Sequence, residues 1–226
     1  MPLSTTSTFR RRACALALPG IPLALLVGAL VSPTDSTDNA DQLAAAAAHA
    51  GRWQAAALLE LVTAALFPLA AAGIVHLVRR RGGALANAGA AAAGLGTLGM
   101  AAIAFRHLFI YGLTATDGAA GLDVLDRLDD HAGAIAMPLM IAGPLAWILL
   151  AGAAARAGLV SRWVVVGMLA FAVSDSLPIP AAEVIQGLIG LAAFGAIALR
   201  LLRLSDGETE APSLASRESA RLAVQA

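Results

Sequence analysis

Lysine is absent from these 226 residues, so all 15 cationic side chains are arginines. Charge of either sign is scarce: 13% of the residues are charged, against roughly a quarter in water-soluble domains, and 59% are hydrophobic. The 15 arginines and 15 acids cancel, which removes the general case for nucleic acid or another polyanion as partner. With Cys14 as the only cysteine, a disulfide framework, a zinc ribbon and a thiol pair are each excluded. Cys14 reads as a small apolar packing residue, with reversible acylation as the other reading. His-Glu-x-x-His and Gly-x-Ser-x-Gly are both missing, and no two histidines share a helical turn. No catalytic residue, metal ligand set or cofactor is therefore assigned.

What is present is long apolar sequence, with a mean hydropathy of +0.78. A membrane-crossing helix needs about 20 mostly apolar residues, because backbone amides cannot go unpaired in a hydrocarbon core about 30 Å thick. Six segments meet or approach that length: 13–31, 55–78, 84–105, 132–155, 162–177 and 182–204. The fifth is short, about 24 Å. The expectation is an all-α, six-helix transmembrane bundle in the cell membrane, with the lipid bilayer as its main partner. Residues 1–12 form a cytoplasmic N-terminal segment, 13–204 the transmembrane domain, and 205–226 a cytoplasmic tail. That tail, rich in Ser, Glu, Ala and Arg, reads as disordered or weakly helical.

Arginine placement sets the orientation, since positively charged loops stay on the cytoplasmic side. With six crossings, twelve arginines fall on the side of the termini and only Arg52, Arg106 and Arg127 fall opposite. Four acids accompany the twelve and eleven accompany the three, so a net +8 faces a net −8. Both termini are expected in the cytoplasm. A cleaved signal peptide is the competing reading of Arg10–Arg12 and the run behind them. The arginine balance requires the segment to be kept, and Ala13 and Cys14 lack the residues expected after a twin-arginine address.

The loops on the opposite side carry two short interfacial helices in this reading. Asp38 and Asp41 stand at a capping spacing before an alanine run that Gly51 stops, and Trp53 anchors at the interface. Between Gly121 and His131, Leu122, Leu125 and Leu128 recur every three residues while Asp123 and Arg127 sit four apart, which describes an amphipathic surface helix. Asp123, Asp126, Asp129 and Asp130 lack the alternating ligands and central glycine of a calcium loop and read as a solvated face. Gly89, Ala93, Gly94, Gly96 and Gly99 allow close backbone approach and mark the third segment as a central helix, with helix-mediated oligomerisation as a related option. Pro19, Pro22, Pro68, Pro138 and Pro144 are expected to bend their helices.

Ionisable groups near hydrocarbon cost roughly 2.5–3.5 kcal/mol each, so each requires an explanation. Counting from the cytoplasmic arginines puts Glu60 and Glu183 about 28 and 30 Å across, near the outer boundary, and Asp175 about 20 Å across, the deepest charge. Asp175 also precedes Pro178 and Pro180, where a helix breaks. Arg106 and His107 close the third segment and His131 opens the fourth. One outer cluster could therefore contain Glu60, Arg106, His107, His131, Asp175 and Glu183, with His49 above it. His76, alone near the cytoplasmic end, reads as a snorkelling or helix-end residue. Three readings stand for the cluster. In the first, Arg106 pairs with Asp175 or Glu60 simply to fix helix register. In the second, carboxylates in a low-dielectric cavity carry a ligand or proton path. In the third, His107 and His131 with a carboxylate hold a metal or haem.

The Gly51-Arg52-Trp53 lead into Leu58-Leu59-Glu60-Leu61, the Arg79–Arg81 turn and the Arg162-Trp163 pair together resemble a family of small multi-pass membrane proteins of high-GC bacteria, of the domain-of-unknown-function type. The likeness covers residues 13–204. That family has no agreed activity, so the resemblance implies architecture and carries over no site residue. The functional expectation is a structural or regulatory membrane component, with a small-molecule or proton-coupled transporter as the alternative and a membrane-embedded metal or haem protein as the second. No ligand is identified.

Overall fold

The computed structural model describes residues 3–78, 83–116, 118–174 and 182–203, with side chains from Arg12 onward. Among the described residues the secondary structure is helical throughout: α1 (Leu3–Val31), α2 (Asn39–Ala48), α3 (Ala50–Val78), α4 (Gly83–Leu113), α5 (Gly118–Arg156), α6 (Arg162–Ser174) and α7 (Ala182–Arg203). Five stretches are long and apolar enough to cross a membrane: Arg12–Val31 within α1, and α3, α4, α5 and α7. The described part of α6 has 13 residues and spans about 20 Å, less than a hydrocarbon core about 30 Å thick. The expected continuation of that segment to residue 177, and the tail 205–226, lie outside the described residues.

Alanine and leucine favour these helices, and their ends are set locally. The Asp38 carboxylate accepts from the amides of Ala40 (2.9 Å) and Asp41 (3.2 Å), starting α2 as its spacing predicts. The chain breaks at His49, φ −133°, and Gly51 lies in the first turn of α3 instead of stopping α2. The surface helix expected over 121–131 does not stand apart. It is the beginning of α5, whose 39 residues run about 58 Å, nearly twice a hydrocarbon core. α5 ends in a Schellman turn: Leu159 N–H donates to Ala154 O and Gly158 N–H to Ala155 O, each 3.0 Å. Gly158 supplies the positive φ of 75° that this turn requires.

The long helices form a ring. α1 packs on α3 and α7, α4 on α3 and α5, and α6 on α5 and α7. A chain of edge-to-face aromatic contacts fills the middle: Phe67 to Trp147 (4.8 Å between centroids), Trp147 to Phe194 (4.9 Å) and Phe194 to Phe171 (5.6 Å). It ties α3, α5, α7 and α6 together, each contact adding about 0.5–1.5 kcal/mol beyond burial. The glycine-rich α4 is therefore a rim helix with two long neighbours and not a central one. Its small residues do bring backbones together: a Cβ on Gly96 would lie 2.5 Å from Gly143 Cα. The prolines of α1, α3 and α5 sit inside helices assigned without interruption.

Outward faces are apolar. Leu16, Ile135, Phe105 and Leu98 are each more than half exposed, as are Leu188 and Val173 across the ring. A continuous apolar surface of this kind is the mark of a lipid-facing or interaction surface. Polar groups within the helices turn inward on their own backbone: Thr63 donates to Leu59 O (2.9 Å) and Thr97 to Ala93 O (2.8 Å).

Candidate functional site

The helix order segregates charge. Arg12, Arg156, Arg162, Arg200 and Arg203 lie at the end where α1 and α6 begin and α5 and α7 finish, and among the described residues every Asp and Glu lies toward the other end. At that carboxylate-rich end, Arg106, in the last two turns of α4, is the organising group. Its Nε donates to Asp129 Oδ1 (3.0 Å) and its Nη2 to Asp129 Oδ2 (2.9 Å), a bidentate pair with the projecting start of α5. Nη1 donates to Gln42 Oε1 (2.7 Å) and Nη2 also to Asn39 Oδ1 (2.6 Å), both on α2. Four bonds meet a guanidinium that has five N–H groups.

Asn39 closes the network by donating from Nδ2 to Asp126 Oδ1 (2.8 Å) and Asp129 Oδ2 (3.1 Å). Gln42, buried, donates to Ser36 O (2.9 Å). The i, i+3 spacing puts Asn39 and Gln42 on one face of α2, which is why a single arginine reaches both. Asp129 precedes the apolar part of α5. The hydrogen bonds from Arg106 hold its carboxyl below the usual carboxylate range, against the opposing effect of partial burial, with Asn39 adding in the same direction.

A second pair lies alongside. His107 Nδ1 is 2.8 Å from Glu60 Oε2, linking α4 to α3, and both side chains are about a fifth exposed. Trp53 Nε1 donates to His107 O (2.7 Å), and its ring meets the imidazole edge to face at 5.1 Å. Trp53 is thus buried against α4 and is not an exposed interfacial anchor. Arg52 donates to Val31 O (2.9 Å) and Ser32 O (3.1 Å), satisfying carbonyls at the end of α1.

Of the six residues expected in one cluster, the structure brings Glu60 and His107 together and places Arg106 beside them with a different partner. Arg106 binds Asp129, and Glu60 pairs with His107 instead of Arg106, because the continuous α5 carries Asp129 back over the end of α4. His131 is exposed, its Nδ1 2.7 Å from Arg127 O in its own helix. Glu183 is exposed in the first turn of α7, whose neighbours are α1 and α6. Asp175 lies outside the described residues. His49, at the end of α2, and His76, in the last turn of α3, are both exposed.

Asn39 and Gln42 escape the sequence reading. Their i, i+3 spacing on an otherwise alanine-rich helix is the available signal. The acidic stretch of α5 is only partly a solvated face: Asp123 pairs with Arg127 at 2.8 Å, while Asp126 and Asp129 bind Asn39. Among the described residues no three His, Cys, Asp or Glu side chains are grouped to hold a metal ion. The arrangement joins elements: three helices converge on one guanidinium most of whose donors are already engaged. No protein-family model, no curated protein and no solved structure matches the chain.

Proposed function

We propose that the chain is a structural or regulatory component of the cell membrane, crossing it six times with both termini in the cytoplasm. In this proposal the carboxylate-rich outer end holds helix register. The observation that carries the structural reading is the Arg106 network, in which four hydrogen bonds reach fixed acceptors on α2 and α5 and little donor capacity is left for an incoming anion. Support for the orientation is the gathering of Arg12, Arg156, Arg162, Arg200 and Arg203 at the end away from every described carboxylate, with Arg52, Arg106 and Arg127 opposite, combined with the positive-inside rule. The family resemblance over residues 13–204 and the division at residues 12 and 204 belong to the same proposal.

Topology is tested by a reporter fused after Ala226. A cytoplasmic signal agrees with the proposal, and an external signal contradicts it. The structural role is tested with Arg106→Gln, which is expected to reduce the amount of folded protein extracted from membranes.

A second reading, proton-coupled transport, is favoured by the His107–Glu60 pair: two titratable groups joined across α3 and α4 at 2.8 Å. Proteoliposomes carrying a pH-sensitive dye discriminate the two. A proton flux that Glu60→Gln abolishes without lowering folded protein would establish transport, whereas flux equal to that of empty vesicles supports the structural role.

A further inference from the structure

Arg12, Arg156, Arg162, Arg200 and Arg203 are exposed, and among the described residues none of them has a hydrogen-bond or ion-pair partner. Arg200 and Arg203 stand one helical turn apart at the close of α7. Arg156 and Arg162 bracket the turn joining α5 to α6. The two pairs are neighbours, because Arg200 borders a narrow crevice together with Leu159 and Val160 of that turn. The Schellman bonds at Gly158 hold the turn, and Leu159 and Val160 pack on the core, so the four arginines belong to one patch with a fixed backbone. Like charges on one patch repel, and every described carboxylate that could offset them lies toward the opposite end.

We infer that the acidic segment 206–210 of this chain docks on that patch, as a strap running from the end of α7 across the turn between α5 and α6. Residues 204–226 lie outside the described residues, and their sequence makes this segment the occupant. Asp206, Glu208 and Glu210 stand together with no arginine among them, whereas 211–226 sets Arg217 and Arg221 against Glu218. The three acids alternate with Gly207 and Thr209, so an extended chain turns all three to one face. Reach is sufficient: at about 3.3–3.6 Å per residue, Asp206 can lie up to about 11 Å from Arg203 and Glu210 up to about 25 Å. Single exposed ion pairs are weak. Tethering raises the effective concentration of the acids at the patch to the order of millimolar, which favours them over an untethered anion of the same affinity. The strap neutralises the patch and competes with any anion approaching this end, and it does so whichever side of a membrane the patch faces.

The test uses the full chain, delipidated in uncharged detergent at low ionic strength, and phenylglyoxal, a reagent that modifies free guanidinium groups. With no lysine in the chain, peptide mass spectrometry reads the arginines directly. The readout is Arg156 and Arg162, far from the acids in sequence, because Arg200 and Arg203 feel Asp206 whether or not the strap docks. Replacing the three acids together, Asp206→Asn with Glu208→Gln and Glu210→Gln, should speed modification at both about threefold. Arg127, at the opposite end and paired with Asp123, should keep its rate. In about 0.5 M sodium chloride the wild-type rates should rise to meet those of the variant, since salt screens exposed pairs. Equal rates at Arg156 and Arg162 in wild type and variant overturn the strap, as does a gap that salt leaves unchanged. If protection of the wild type requires added phosphatidylglycerol, a lipid covers the arginines; if it fades on tenfold dilution of the protein, the tail of a second copy does. Either result overturns the strap. Should the variant not accumulate, the wild type decides alone: no rise at Arg156 and Arg162 in salt overturns the inference.

Discussion

Arg106 directs hydrogen bonds to Asp129, Gln42 and Asn39, and being only 24% exposed it is poorly compensated by water when those partners are lost. Arg106→Gln is expected to destabilise the docking of α2 by about 1–2 kcal/mol. The measurement is hydrogen exchange over Asn39–Ala48, which should accelerate while the aromatic centre stays protected. The same contact depends on pH. Asp129's carboxyl is lower in the folded protein than in the unfolded chain, so its contribution is fully present above the ordinary carboxylate value of about 4. It is lost as pH falls through the depressed folded value. Protection over α2, taken relative to the intrinsic exchange rate at each pH, should therefore be constant from pH 7 to about pH 5 and fall below about pH 4, and Asp129→Asn should remove most of that fall. Arg106 and Asp129 are both conspicuous in the sequence. Their pairing is not, because it depends on α5 running without a break from its acidic start into its apolar part.

At the scale of elements, α4 and α5 meet through glycine. A Cβ at Gly96 would lie 2.5 Å from Gly143 Cα and 2.8 Å from Gly143 N, both backbone atoms that cannot rotate aside. Gly96→Ala is expected to cost about 1–3 kcal/mol by forcing the helices apart, read as a lower thermal midpoint in detergent. At Gly94, two residues away, an added methyl would meet nothing within 4 Å, so Gly94→Ala should be neutral or slightly stabilising in the same assay. At the end of α5, Gly158→Ala must adopt a positive φ and should cost about 1 kcal/mol. The glycines of α4 mark it in the sequence as a close-packing helix. They do not show which of them face a neighbour, since nearly every position of α4 is small or apolar and no face stands out.

For the whole molecule, an apolar outer surface lies between an arginine-rich end and a carboxylate-rich end. If the bilayer supplies the surrounding solvent, solubility should require detergent or lipid, and the chain should aggregate when detergent is diluted below its critical concentration. A chain that stays monodisperse in plain buffer, measured by light scattering, would contradict the membrane reading. The ring order also bears on which polar residues can cooperate. α7 is beside α1 and α6, so Glu183 is not carried to the Arg106 network, although counting residues from the arginines gives Glu60 and Glu183 nearly equal depth. Depth follows from distance along a helix, but position around the ring does not.

Helical class, the five long apolar stretches, the cap at Asp38 and, among the described residues, the gathering of carboxylates at one end were determined by the sequence alone, because hydrophobic run length, capping chemistry and charge placement are local properties of the chain. The tertiary structure decided the rest. It made α5 continuous through residues expected in a separate surface helix, set Trp53 against His107, and gave Arg106 to Asp129 with Asn39 and Gln42. Those partnerships join residues up to 67 positions apart, and they arise from the angle and register at which helices pack, which residue spacing within one helix does not encode.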